Sequence, residues 1–277
     1  MLRKFGGFTA VLVSGLLSYA GAALAVEGQA ENWQLGLQLA ADDRMTAIIN
    51  LHSFVLYVIT LICLFVLGLM VWIVVRYNAK ANPTPSATTH NTTLEVLWTI
   101  IPVAILVTIA IPSFRLLYFE DVLPKTDMTI KAIGKQWYWS YEYPDNGNFT
   151  FDALMLSDRV SAQQMEPRLL GTNNHVVVPI GKTVRLLTTG ADVIHAWAIP
   201  AFGVKIDAVP GRINQTWFKA NKEGKFYGEC SELCGARHPF MPIEVEVVSQ
   251  ERFDQWVMEA KTKFASVGAP TRDAADR

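Results

Sequence analysis

Charge of either sign is scarce in this chain. Asp, Glu, Lys and Arg make up 18% of its 277 residues and nearly cancel, leaving a net charge of −1. No basic field of the kind that draws nucleic acid is therefore present. No Cys-x-x-Cys-His run occurs, which excludes a covalently attached c-type haem. No internal repeat is visible. Cysteine is limited to three residues, so their positions carry more information than their number. What the chain has in excess is apolar surface, at 51% hydrophobic residues and a mean hydropathy of +0.23.

That excess is concentrated near the N-terminus. Arg3 and Lys4 precede a short apolar stretch, and Ala23-Leu24-Ala25 supplies small residues at a cleavage spacing. This reads as a signal peptide over 1–25, cut near Ala25 or slightly later, in preference to a first membrane anchor. Two longer uncharged runs follow at 54–75 and 96–114. Each is long enough to cross a hydrocarbon core of roughly 30 Å as a helix. Trp72, Tyr77, Trp98 and Tyr118 stand near their ends, where amphipathic rings favour the interface. The link between the runs carries Arg76 and Lys80, whereas the outer flanks carry Asp42, Asp43, Glu120 and Asp121. The positive-inside rule puts the link in the cytoplasm and the C-terminal half in the periplasm. The expected organisation is a periplasmic segment over 26–47, a transmembrane hairpin over 48–120, an outer domain over 121–250, and a terminal helix and tail over 251–277.

The outer half reads as short strands separated by turns. Residues 175–179 and 183–188, about a Gly181-Lys182 turn, predict one hairpin, and 213–218 with 225–229 predict another. Residues 243–247 alternate apolar and acidic side chains, as a half-buried strand does. These features predict an all-β sandwich or barrel. Beyond Ser249, the spacing of Phe253, Trp256, Val257 and Ala260 predicts an amphipathic helix, with a loose tail after it.

Cys63 lies inside the first apolar run and reads as a packing residue. Cys230 and Cys234 fall in ECSELCGARHPFM at 229–241, beside His238 and Met241. A periplasmic disulfide would account for the two cysteines but not for the His and Met. Structural zinc is disfavoured by the thioether and by the lack of a fourth local Cys or His. Thiolate, imidazole and a weak thioether are together the ligand set of copper electron-transfer sites. One copper leaves the second thiol surplus. Two bridged coppers use both thiols and require a second imidazole, for which His195 in DVIHAW is the best-placed candidate. Such a site leaves no open coordination position for a substrate, so it implies electron relay.

The chain resembles the cytochrome c oxidase subunit II family along nearly its whole length. The resemblance is carried by TLEVLWT at 93–99, QWYWSYEY at 136–143, DVIH at 192–195, DAVPGR at 207–212 and the loop at 229–241. It implies a cupredoxin-like barrel on a two-helix anchor in the bacterial inner membrane. It implies two copper ions in a binuclear copper A centre, bridged by Cys230 and Cys234. His195 and Met241 would complete one metal, and His238 with the backbone carbonyl of Glu232 the other. The Glu232 carboxylate would reach a magnesium ion shared with subunit I. Trp137 resembles the residue at which electrons arrive from cytochrome c, and Glu95 the acid at a proton-channel entrance into subunit I. Subunits I and III and cytochrome c are the implied partners, with Asp192, Glu142 and Asp145 as docking acids. Asn173 departs from the pattern where relatives often carry an acid. Nitrous oxide reductase fits less well, since it lacks the membrane hairpin and this chain has no room for a large propeller domain. A quinol oxidase subunit II shares fold and anchor but not the copper ligands, so Cys230 and Cys234 argue against it. A copper chaperone would use exposed Met or Cys pairs and yield its metal readily, which metal depletion tests.

Overall fold

The computed structural model describes residues 28–264, so the predicted signal peptide and the predicted loose tail lie outside the described residues. Two helices lead, α1 at Asp43–Arg76 and α2 at Thr92–Asp121. Both extend beyond the apolar runs into their polar flanks. Asp42 caps α1 by accepting from Arg44 N at 2.8 Å, and Asn91 caps α2 by accepting from Leu94 N at 3.2 Å. Neither helix has a buried apolar face: Leu61, Val74 and Leu106 are each about two-thirds exposed. So much bare hydrocarbon is sustainable only in lipid. The pair is the expected membrane hairpin.

Ten strands and two further α-helices follow among the described residues. They are β1 Met128–Lys135, β2 Tyr138–Tyr143, β3 Phe149–Ala153, α3 Asp158–Gln164, β4 Val176–Pro179, β5 Val184–Gly190, β6 His195–Ile199, β7 Val204–Ala208, β8 Asn214–Phe218, β9 Gly224–Glu229, β10 Pro242–Val248 and α4 Gln250–Phe264. One sheet runs β3-β2-β1-β5-β8, a second β4-β10-β9, and β6 pairs with β7 alone. The cupredoxin-like all-β domain on a two-helix anchor is thus the architecture found. The aromatic core includes Trp139, Trp197, Tyr143, Phe202, Phe218 and Phe226, all nearly inaccessible. Each such side chain contributes roughly 1.5–3 kcal/mol by leaving water. Tyr143 ties the two larger sheets together, its hydroxyl donating to Val177 O at 3.0 Å and accepting from Val177 N at 2.9 Å.

Neither predicted hairpin forms. β4 pairs in parallel with β10, while β5 lies between β1 and β8 in the other sheet. The intervening turn is bonded outward: Ile180 N donates to Val248 O and Gly181 N to Ala220 O, both at 2.8 Å. Similarly, β8 pairs with β5 and β9 with β10, and Asn221 N in the turn between them donates to Ala41 O. A glycine turn between two short strands serves a sheet-to-sheet crossing as well as a hairpin, and the sandwich core favours the crossing. β10 is also less exposed than its alternation predicts. Glu244 is only 2% exposed and accepts from Thr172 N, Thr172 Oγ1 and Lys225 Nζ, because the segment between β3 and β4 covers that face. That segment holds the unforeseen short helix α3. The terminal amphipathic helix is present as α4, burying Phe253, Val257 and Ala260.

The hairpin is keyed into the β domain. Buried Arg44 donates through Nη1 to Thr216 Oγ1 at 3.0 Å and to Trp217 O, with its guanidinium 5.0 Å from the Trp217 ring. Phe119 of α2 meets the same indole edge-on, with ring centroids 5.5 Å apart.

Candidate metal centre

The predicted ligands come from two regions that are distant in sequence. His195 opens β6, fully buried. Gly134 on β1 makes room for it, since a Cβ there would lie 2.7 Å from the imidazole ring. The other ligands lie on the loop between β9 and β10. Cys230 and Cys234 are buried, Met241 is 1% exposed, and His238 opens a short 3-10 turn.

The donor atoms converge. Cys230 Sγ and Cys234 Sγ are 3.8 Å apart and the cysteines are free, well beyond the roughly 2.05 Å of a disulfide. His195 Nδ1 stands 3.8 Å from Cys230 Sγ, and His238 Nδ1 stands 3.5 Å from Cys234 Sγ. Met241 Sδ is 3.5 Å from Cys234 Sγ, and Glu232 O is 3.4 Å from Cys230 Sγ. All six predicted donors therefore surround one small volume, with one imidazole against each thiol. Among the described residues, only His195, Cys230 and Cys234 form a group of three or more His, Cys, Asp or Glu ligands within metal-binding reach.

The electrostatics fit cations. Burial raises the Cys230 thiol, but hydrogen bonds from His195 and the backbones of Glu232 and Ala196 outweigh it and bring the pKa to about 6. Burial and then the charge of Cys230 push Cys234 up to about 12. The second thiol resists ionising beside the first, and a bound cation would remove that resistance.

Two residues hold the ligands in place that sequence reasoning did not assign to the site, Asp192 having been read as a docking acid and Gln136 given no role. Asp192 Oδ1 accepts from His195 Nε2 at 2.8 Å and from Val193 N at 2.7 Å, while Oδ2 accepts from Gln136 N at 2.7 Å. A proton fixed on Nε2 leaves the Nδ1 lone pair facing the thiols. Burial raises the Asp192 carboxyl, but these three hydrogen bonds prevail and hold it below its ordinary value. Gln136 Nε2 donates to Cys234 O at 2.9 Å, so one residue braces both halves of the site. The spacing of an Asp three positions before a His was the available signal for the first contact. Nothing local in sequence marks the second.

Trp137 is half-buried, and its Nε1 donates to Cys234 O at 3.2 Å. Glu95 sits far away in the first turn of α2, where Oε1 accepts from Asn91 N at 3.3 Å. The Glu232 side chain is exposed. Of the docking acids, Glu142 pairs with Lys131 at 3.0 Å and Asp145 accepts from Thr129 N at 2.7 Å.

A two-helix membrane anchor bearing an all-β domain with a Cys/His metal-ligand cluster defines a class of membrane-bound metal-site proteins. Comparison with known proteins narrows it. The family model "Cytochrome C oxidase subunit II, periplasmic domain" matches residues 128–248, and its transmembrane-domain counterpart matches 30–116. A probable cytochrome c oxidase subunit 2 of Rickettsia bellii is 48% identical over 244 residues, covering 88% of this chain and 90% of the relative. Cytochrome c oxidase subunit 2 of Oenothera berteroana is 48% identical over 235 residues, covering 82% and 90%. The crystal structure of the periplasmic domain of subunit II of cytochrome oxidase (CoxB) of Bradyrhizobium japonicum is 62% identical, covering 52% of this chain and 99% of that one, with a TM-score of 0.49. The chain belongs to the cytochrome c oxidase subunit II family. It is a subunit of a haem–copper oxidase, with two membrane-spanning helices and a C-terminal periplasmic domain.

Proposed function

We propose that this chain is the electron-accepting subunit of its oxidase. It takes electrons from cytochrome c at a binuclear copper A centre and passes them to the haem and copper centres of subunit I, where O2 is reduced to water with proton pumping. The observation that carries this reading is the pairing of each thiol with its own imidazole, His195 against Cys230 and His238 against Cys234, at 3.8 and 3.5 Å. One blue-copper ion needs a single thiolate, and the second thiol with its own imidazole matches a second metal. When bound, the copper pair supplies a one-electron carrier whose charge change is spread over two metals.

The residues then have distinct tasks. Cys230, Cys234, His195, His238, Met241 and the Glu232 carbonyl would together hold the copper pair, their donor atoms lying 3.4–3.8 Å from a thiol sulfur. Asp192 fixes the His195 ring, and Gln136 couples that carboxylate to the Cys234 backbone. Burial of Cys230, Cys234, His195 and Met241 excludes water and holds the ligands still. The Trp137 indole, bonded to Cys234 O, gives an incoming donor direct contact with the ligand loop. The Glu232 carboxylate, exposed beside the site, is the group to hold magnesium at the boundary with subunit I. Glu95, at the membrane edge of α2, is the group to load protons into subunit I, and subunit III completes the core assembly.

The test is an electron paramagnetic resonance spectrum with metal analysis on the full chain in its oxidase. A seven-line pattern from one electron shared by two copper nuclei, with two coppers per chain, is expected. A four-line pattern or one copper per chain refutes the bridged site.

A further inference from the structure

The outer end of α2 carries a cation that the electron-transfer reading does not use. Arg115 follows directly on the apolar run and is exposed, and no ion-pair or hydrogen-bond partner for it exists among the described residues. It lines a groove of about 470 Å3 between the two helices, together with Asn50, Leu51, Phe54, Leu116 and Phe119. A second groove of about 320 Å3 continues along the hairpin, lined by Phe54, Val58, Ile101, Ala104 and Thr108 among others. Phe54 belongs to both, so the two are successive stretches of one apolar channel headed by an arginine and an asparagine.

We infer that this channel is a phospholipid site, with the headgroup phosphate on Arg115 and Asn50 and an acyl chain laid between α1 and α2. Its place in the membrane agrees. From Arg115 to Ile101 the helix rises about 21 Å at 1.5 Å per residue, somewhat more than the roughly 15 Å from interface to midplane. An outer-leaflet lipid therefore has its phosphate at the level of Arg115 and its tail beside Ile101. An unpaired cation at the headgroup level matches the phosphate charge, and the amide of Asn50 adds a donor. A neighbouring helix, about 10 Å across with its side chains, is too broad to enter a cleft between two packed helices, whereas an acyl chain is slender enough. The inference depends on the membrane hairpin and not on the copper reading.

The experiment uses the purified oxidase complex in nanodiscs doped with a phosphatidylcholine that carries a photoactivatable group midway along one acyl chain. Crosslinked peptides are mapped by mass spectrometry. Labelling is expected to concentrate on 100–109 and on Phe54 and Val58, over equally lipid-exposed positions such as Leu61 and Val74. Arg115→Gln should reduce the channel labelling about tenfold, the loss of one favourable polar contact of about 1.4 kcal/mol. Ala104→Phe, which fills the lower channel and keeps the cation, should also reduce it, in a complex that still assembles by size-exclusion chromatography. Even labelling along the whole hairpin means annular lipid only and overturns the inference. Labelling unchanged in Arg115→Gln, or a neighbouring subunit's peptide found crosslinked in the channel in place of lipid, overturns it too.

Discussion

Replacing Asp192 by Asn tests whether this residue orients a copper ligand or serves only as a docking charge. The carboxylate accepts three hydrogen bonds, from His195 Nε2 at 2.8 Å and from Val193 N and Gln136 N at 2.7 Å. An amide offers one oxygen, so whichever way the substituted side chain is turned its NH2 faces at least one of these donors. A hydrogen bond to a charged group is worth roughly 1.5–3 kcal/mol. With the Asp192 side chain 33% exposed, solvent screening favours the low end, about 1.5 kcal/mol. For a domain of this size that lowers Tm by roughly 3–6 °C. Loss of the partner that fixes a ligating imidazole typically weakens metal affinity about 10–100-fold. The sign with pH follows from the depressed carboxyl: its contribution is present above the unfolded carboxyl pKa and is lost as pH falls through the lower folded value. Measurements at neutral pH therefore see the whole effect. The assay is copper competition against a chelator on the detergent-solubilised chain, with the electron paramagnetic resonance spectrum as the geometric readout. Wild-type copper affinity and spectrum, combined with weakened cytochrome c binding, would refute the orienting role.

Trp137→Phe should slow electron uptake from bound cytochrome c by about an order of magnitude while leaving docking affinity nearly unchanged. Flash-induced transfer at saturating donor checks this, and a normal bound-state rate with weakened docking would reduce Trp137 to a recognition residue. Glu95→Gln preserves a side-chain acceptor for Asn91 N while removing the charge, so oxidase turnover should fall with helix stability and copper content intact; normal turnover would leave Glu95 only its capping role. The copper-free thiols should titrate by ultraviolet absorbance in two steps, Cys230 near pH 6 and Cys234 near pH 12. By linkage, the stabilising contribution of Cys230 is lost as pH falls towards 6, and the destabilising one of Cys234 grows as pH rises above its unfolded value near 9. A single step at an ordinary thiol pKa would contradict that splitting.

What could be read from sequence was what is encoded locally. The membrane helices follow from uninterrupted apolar runs of sufficient length, and five of the six donors stand within one loop. His195 was reached by counting ligands, because one imidazole was missing and DVIH offered it. Sheet pairing was not legible. The 175–188 and 213–229 segments each look like hairpins, yet their turns bond to strands and to residues such as Ala41 that are far away in sequence. The bracing contacts were missed for the same reason: Gln136 reaches Cys234 across 98 positions. Asp192 was noticed, but as a surface charge, because only the fold turns its carboxylate toward the imidazole. The hydrogen bond from the Trp137 indole to Cys234 O is a contact of the same long-range kind.

These commitments alter what a partner meets around the ligand loop. Asp192 is engaged with three donors, Glu142 with Lys131 and Asp145 with Thr129 N. A basic partner must therefore compete with internal contacts for every one of these acids. Apolar side chains adjoining the ligands in sequence are freer: Leu233 is 79% exposed, Ile194 44%, Val193 37% and Phe240 37%. Contact through such groups is driven by water release and depends little on ionic strength, whereas charge pairing is screened beyond about 10 Å at 0.1 M salt. On the loop itself Glu229 and Glu232 are exposed and form no ion pair among the described residues, so long-range steering of a basic donor would fall chiefly to them. Closer in, the apolar groups would carry the contact, beside the half-buried Trp137 indole that is bonded to the same loop.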